Sequence, residues 1–383
     1  MVIRGRAPLR ISFGGGGTDV APFCVEQGGA IIGSTINKYA YCSIIPRDDD
    51  EIVVHSLDFD MTVKYNTKEN YVYDGRLDLV TAALKAMDIK QGCEVYLQCD
   101  APPGSGLGTS STVMVALLIA MAKWKGVEMD GYALADLAYH VEREDLKIAG
   151  GYQDQYAATF GGFNFIEFHG RNDVVVNPLR IKKDIIHELQ YNLLLCYTGN
   201  IHVSANIITD QVNNYKNKNE DAVKAMCEVK ALAYAMKDEL LKGNLHSFGK
   251  LLDYGWQSKK RMSNKITNPQ IDTLYEEALK AGALGGKLLG AGGGGYLLMY
   301  CPYNVKHKVA ARMEAAGGQL ADRCGRLAQK EEELERRMRD TAEYRDEVCR
   351  DLAEQTRRYG YLDAHCIRAL YEGFNEKIME LNR

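Results

Sequence analysis

The sequence has no CxxC pair among its 10 cysteines, no long apolar run and no excess of either charge. The scattered cysteines exclude a disulfide framework or a zinc ribbon and fit reduced thiols in a cytoplasm. The longest apolar run, residues 113–122, is about half a membrane span and reads as a buried helix. The first residues, MVIRGRAPLR, carry no apolar signal core. With 47 basic against 51 acidic residues, nothing global points to nucleic acid or an anionic membrane. What remains is a globular chain of 383 residues, long enough for two domains.

Residues 1–100 read mostly as strands, with "AIIGSTINKYAYCSIIP", "EIVVHSL", "MTVKY" and "CEVYLQC" rich in β-branched and aromatic residues. Helical spacing predicts helices near 77–88, over 110–124 and near 131–146. "GGFNFIEF" and "NLLLCYTG" predict further strands. From about 200 to 280 the pattern is helical, with Gly243 as a stop. "GGGGYLLMYC" then reads as a glycine loop entering a strand. The division expected is a domain over 1–190, a second over 191–318 and a charged tail over 319–383. In the tail, Leu320, Leu327, Leu334, Val348 and Leu362 share one heptad position. That suits a helical hairpin or weak coiled coil, a candidate surface for self-association, and equally an amphipathic helix packed on its own domain.

Three glycine clusters carry the chemistry: Gly14–Gly17, Gly104–Gly108 and Gly290–Gly295. Bare backbone lets N–H groups converge on an anion, and a following helix N-terminus adds positive potential. "PPGSGLGTSSTVMVALL" has the order strand, glycine loop, helix. It lacks the Lys of a Walker A loop and the spacing of a dinucleotide fingerprint. Its hydroxyls suit a triphosphate cradle, with Ser110 presenting its oxygen to Mg²⁺. A tightly packed structural turn is the alternative.

Glu142 and Asp154 flank the Gly150–Gly151 break. Phosphoryl transfer needs a metal ligand and a group that orients or deprotonates the acceptor hydroxyl, and two carboxylates across a turn supply both. Arg10, on the first strand, offers a fixed cation to keep Asp154 ionised. Asp19, past the first glycine turn, suits bidentate hydrogen bonding to sugar hydroxyls. Read alone, Arg10 fits a surface position and Asp19 a turn or helix N-cap.

In order, "APLRISFGGGGTD", "PPGSGLGTSST" and "KLLGAGGGGY" resemble the three motifs of the GHMP small-molecule kinases. "VEREDLKIAGGYQDQYAATFGGFNF" and "VVNPLRIK" are similar to the heptose-phosphate branch of that family. The resemblance covers roughly residues 1–318. It implies an α+β fold with a ribosomal-protein-S5-like N-terminal domain, a ferredoxin-like C-terminal domain and, here, an atypical helical tail. It also implies ATP- and Mg²⁺-dependent phosphorylation of the anomeric hydroxyl of a heptose 7-phosphate, feeding nucleotide-activated heptose for surface glycans. Fucose or another hexose is the near alternative acceptor, and a non-catalytic sugar and ATP sensor with a partner-binding tail a remoter one.

Carried onto this chain, the resemblance makes Asp154 the base, with Arg10 beside it. Pro103, Gly104, Ser105, Gly106, Leu107, Gly108, Thr109, Ser110 and Ser111 wrap the nucleotide phosphates. Ser110 and Glu142 hold Mg²⁺. Asp19, Thr18, Gly16, Gly17 and Gly151 meet the sugar, and the third glycine loop, including Gly292 and Gly293, closes the site. Lys259 and Lys260, with Arg261, offer cations for a sugar phosphate; a basic helix end complementing its own dipole fits them as well. The family pattern leads to a short final strand after "EAAGGQ"; the sequence there reads as helix instead.

Overall fold

The computed structural model describes residues 2–320 apart from 70, 171–172 and 200–203. The predicted helical tail lies outside the described residues. In chain order the first half holds β1 (Ile3–Gly14), α1 (Phe23–Glu26), β2 (Gly29–Pro46), β3 (Glu51–Ser56), β4 (Met61–Asn66), α2 (Asp78–Ala86), β5 (Cys93–Cys99) and α3 (Thr109–Lys125). Then come α4 (Gly131–Tyr139), a π-helical turn over His140–Asp145, α5 (Gln153–Phe160), β6 (Phe163–Gly170) and β7 (Asp173–Pro178). The second half holds α6 (Lys183–Asn192), β8 (Leu193–Tyr197), α7 (Ser204–Lys216), α8 (Glu220–Lys242), α9 (Leu245–Lys260) and α10 (Pro269–Lys280). It closes with β9 (Gly285–Leu288), β10 (Tyr296–Tyr300), α11 (Lys306–Ala315) and β11 (Gln319–Leu320).

The first sheet is organised by β2, which is 18 residues long. It pairs antiparallel with β1 along one edge, and on the other with β6 through its first half and β5 through its second. Strand β3 joins β5 in parallel, and β4 and β7 complete the sheet. Burial along β1 alternates as far as Pro8 and is continuous from Leu9 onward. One face of the strand is wet at its start, and both faces are covered where it reaches the site. Helix α3 lies across this sheet, with Met114, Val115, Leu117, Leu118 and Met121 wholly buried. A helix apolar around its circumference belongs inside a core rather than on a surface.

The second sheet has the order β11-β8-β10-β9. Gln319 and Leu320, assigned to the helical tail from the sequence, instead pair with Tyr197 and Cys196. The strand that the family pattern leads to therefore begins here, and the charge-rich pattern after it hid two residues of sheet. The helix predicted over 131–146 also differs: its last turn is π-helical, with Leu146 N–H bonding Val141 O.

One apolar core runs through both halves. Ala233 and Met236 of α8 and Phe248 and Leu252 of α9 join Phe13 and Ile32 of the first sheet. Phe13 and Phe248 meet edge-on at 5.4 Å between centroids. Such a ring contact adds to the burial of two large side chains. Replacing Phe248 with Ala is expected to cost roughly 3–5 kcal/mol and to lower the stability of both halves in a single denaturation transition. Separate transitions for the two sheets would contradict a shared core.

Candidate active site

The site forms where β1 meets the glycine loop before α3. The pairing of β1 with β2 shifts register between Pro8 and Arg10. A register irregularity of this kind re-aims the residues beside it. Arg10 N–H bonds Leu107 O at 3.1 Å, and its Nη1 bonds Gly106 O at 2.5 Å. Its Nε and Nη2 both reach Asp154 Oδ1, at 2.7 and 2.6 Å. Arg10 is 4% exposed. Burying a guanidinium requires a partner for nearly every donor, and here one carboxylate and one carbonyl serve.

Asp154 sits in the first turn of α5. Its second oxygen carries no protein hydrogen bond among the described residues, and the residue lines a cleft with Arg10, Asp19, Gly106, Ser110, Lys259 and Gly290. The cleft is walled by the glycine loop. Helix α3 starts there at Gly108, with no side-chain cap and no acidic residue in its first turn. The unpaired N–H groups of that turn and the positive end of a 17-residue helix are left for an anion. The third glycine loop presses on the second from the other side: a Cβ on Gly106 would stand 2.6 Å from Leu289 O, and one on Gly290 2.8 Å from Gly106 Cα. No side chain fits between the two backbones.

Ser110 Oγ donates to Glu142 Oε1 at 2.7 Å, and Gln155 Nε2 donates to Glu142 Oε2 at 2.5 Å. Glu142 is fully buried and sits in the π-helical turn. The wider π turn changes the rotation of Glu142 relative to a continued α-helix, and such turns recur at functional sites. Among the described residues no group of three or more His, Cys, Asp and Glu side chains gathers as a metal cluster. A hydroxyl and one carboxylate are hard oxygen donors that suit Mg²⁺ bound with phosphate oxygens and water rather than in an all-protein cage.

Asp19 is fully buried on the cleft floor and accepts from Gly17 N and Gln153 N, both at 3.1 Å. Burial raises its carboxyl above the ordinary range and Asp154 adds to this, while the two N–H bonds oppose it. Gly151 backs onto Asp19, with space for no Cβ.

Other residues singled out from the sequence lie further out. Thr18 spends its hydroxyl on Gly15 O, at 2.8 Å, and on the backbone of Ala30, so it pins the turn rather than facing the cleft. Lys260 turns to Asp272 and lies over the Trp256 ring. Arg261 pairs with Asp221 and Glu228. Gly292 and Gly293 back onto Ile266 instead of lining the cleft. Ser105 is buried against Thr109, and Leu107 is core.

Three contributors escaped the sequence reading. Gln155 bridges Glu142 and Ser111. Arg143 reaches Ser111 Oγ at 3.4 Å. A pocket of about 320 Å³ adjoins the cleft at Gly104, Thr109 and Ser110, lined by Leu77, Val80, Leu97, Val113, Leu146 and Ile148. Its walls come from five separate segments, and no local motif marks them.

Among known proteins, the GHMP kinases N terminal domain model matches residues 70–162 and the GHMP kinases C terminal model residues 236–319. A D-glycero-alpha-D-manno-heptose 7-phosphate kinase of Campylobacter jejuni is 37% identical over 84% of this chain and 95% of its own. An L-fucokinase/L-fucose-1-P guanylyltransferase of Bacteroides fragilis is 26% identical over 78% of this chain and 34% of its own. The crystal structure of a D-glycero-D-manno-heptose 1-phosphate kinase from Bacteroides thetaiotaomicron superposes with TM-score 0.70 at 33% identity, over 84% of this chain and 94% of that one. Lactococcus lactis galactokinase, with TM-score 0.68 at 19% identity over 82% and 89%, shares the fold.

Lys259 lies in the last turn of α9 and donates to Gly290 O at 2.5 Å. Burial, then repulsion from Arg10, lowers its ammonium from 10.5 to about 8. The folded chain thus holds this proton less tightly than the unfolded chain does. The cost to stability is complete below pH 8, shrinks as pH rises toward 10.5 and vanishes above it. Lys259→Met is expected to stabilise the protein at pH 7 by up to about 3 kcal/mol. That gain should shrink in denaturant titrations repeated at pH 10; a gain independent of pH would contradict a charge burial cost. With a relative this similar across most of its length and both family models matched, the chain belongs to the GHMP kinases, ATP-dependent phosphotransferases that use Mg²⁺.

Proposed function

We propose that the chain phosphorylates the anomeric C1 hydroxyl of D-glycero-D-manno-heptose 7-phosphate, giving the 1,7-bisphosphate for nucleotide-activated heptose. The observation that carries the reading is the buried Arg10–Asp154 pair, with a free carboxylate oxygen, in the cleft walled by the phosphate loop. The choice of acceptor is supported by the 37% identical relative, whose name carries that sugar phosphate. In this reading residues 1–190 form the S5-like nucleotide domain and 191–318 the ferredoxin-like domain.

The nucleotide base takes the adjoining apolar pocket, where flat aliphatic walls suit a heterocycle. Its phosphates follow Gly104–Ser111 onto the start of α3. Ser110 and Glu142 hold Mg²⁺, which when bound neutralises phosphate charge. Gln155 fixes the Glu142 carboxylate from the far side. Asp154 orients the acceptor hydroxyl and takes its proton. Arg10 holds the Asp154 carboxylate in place and meets the charge that develops on the transferring group. Asp19, with Gly16, Gly17 and Gly151 around it, receives sugar hydroxyls. Lys259 supplies a cation to the acceptor end, and the loop at Gly290 closes over the phosphates.

Coupled ADP release over a panel of sugars tests the acceptor, with phosphorus NMR locating the new ester. Turnover of heptose 7-phosphate at C1 is expected; turnover of fucose or another free hexose in its place would overturn the assignment. Asp154→Asn is expected to lower kcat by about 10²–10⁴-fold with nucleotide affinity retained. Near-wild-type turnover would remove Asp154 from its role. Ser110→Ala is expected to raise the Mg²⁺ concentration needed for half-maximal rate, and an unchanged requirement would contradict its place at the metal.

A further inference from the structure

We propose that Lys259, Lys287 and Ser12 form a second phosphoryl-anion subsite beside Gly16, next to the part of the cleft that Gly17 and Lys259 line; the proposal rests on reading that cleft as a kinase site. A Cβ on Gly16 would lie 3.7 Å from Lys259 Nζ, 3.7 Å from Ser12 Oγ and 3.8 Å from Lys287 Nζ. Three donors from β1, α9 and β9 therefore surround a corner that carries no side chain of its own. All three residues are buried, at 3%, 3% and 6% exposure for Lys259, Ser12 and Lys287.

Their hydrogen-bonding capacity is largely unspent. Among the described residues Ser12 Oγ has no hydrogen-bond partner. Lys287 Nζ makes no hydrogen bond or ion pair among the described residues. Among the described residues Lys259 Nζ hydrogen-bonds only the carbonyl of Gly290. The carboxylates nearby are engaged: Asp154 by Arg10, and Asp19 by two backbone N–H groups. Arg10, Lys259 and Lys287 repel one another here, and Asp19 attracts both ammonium groups. Burial and mutual repulsion lower both ammonium groups, Lys287 well below its ordinary value.

Buried cations without counter-ions are costly unless a ligand supplies the charge. A sugar hydroxyl supplies none, and a carboxylate leaves one ammonium unpaired. A phosphate monoester dianion brings two charges and three oxygens to two ammonium groups and a hydroxyl. The acceptor's own phosphate and the terminal phosphoryl of the nucleotide share that chemistry, and kinetics separate them.

The full chain loaded with Mg²⁺ and ADP is titrated with inorganic phosphate by calorimetry, as wild type, Lys287→Met and Ser12→Ala. Phosphate affinity is expected to fall at least tenfold in Lys287→Met and severalfold in Ser12→Ala, the latter a change small enough to leave folding intact. Unchanged affinity in both variants overturns the subsite. The source follows from kcat/KM for heptose 7-phosphate relative to heptose without the phosphate. If the wild-type preference collapses toward unity in Lys287→Met, the subsite holds the acceptor's phosphate. If both values fall by one common factor, it holds the transferring phosphoryl. Phosphate affinity lost in the variants, together with a wild type that turns over neither heptose, overturns the proposed acceptor and leaves the subsite standing.

Discussion

Arg10 holds the site together. Its backbone N–H and one arm of its guanidinium fasten the phosphate loop through Leu107 O and Gly106 O, while the other arm fixes Asp154. A single buried side chain thereby sets the distance between the glycine loop before α3 and the Asp154 carboxylate of the cleft. Positioning of this kind is most of what phosphoryl transfer asks of a protein, since the reacting groups do little covalent chemistry with it. The register shift at Arg10 frees its amide from the ladder, and continuous burial of β1 from Leu9 onward keeps water from competing for the pair.

Around that anchor, the two halves of the chain are joined twice. The aromatic contact of Phe13 with Phe248 lies in the shared core. The backbone contact of Gly106 with Gly290 lies in the cleft itself. Because the same helices that support the second sheet also pack on the first, the third glycine loop is held against the phosphate loop by core packing rather than by surface contacts. The charges follow the same division. Hydroxyls and Glu142 gather at the start of α3, whereas Lys259 and Lys287 gather by the first glycine turn.

The sequence was most legible where chemistry is local. The glycine loop followed by an apolar helix located α3; of the acids on either side of Gly150–Gly151, Asp154 lines the cleft and Glu142 is buried behind Ser110. It was least legible where chemistry is assembled from distant segments. Lys287 sits in a short strand whose pattern gives no hint of the company it keeps, and Gln155 is one amide beside a more conspicuous acid. The apolar pocket draws on residues from Ser56 to Ile148. Lys260 misled because a run of three cations on a helix end must point in different directions; only Lys259 faces inward. Thr18 misled because a hydroxyl beside a glycine turn serves the turn as readily as a ligand.

The most direct measurement is a crystal structure of the chain with Mg²⁺, a non-hydrolysable ATP analogue and the acceptor sugar. The account predicts phosphates along Gly104–Ser111, the terminal phosphoryl beside Arg10, and the acceptor hydroxyl within hydrogen-bond reach of Asp154. A nucleotide bound away from that loop, or an acceptor whose reacting hydroxyl lies out of reach of Asp154, would contradict it.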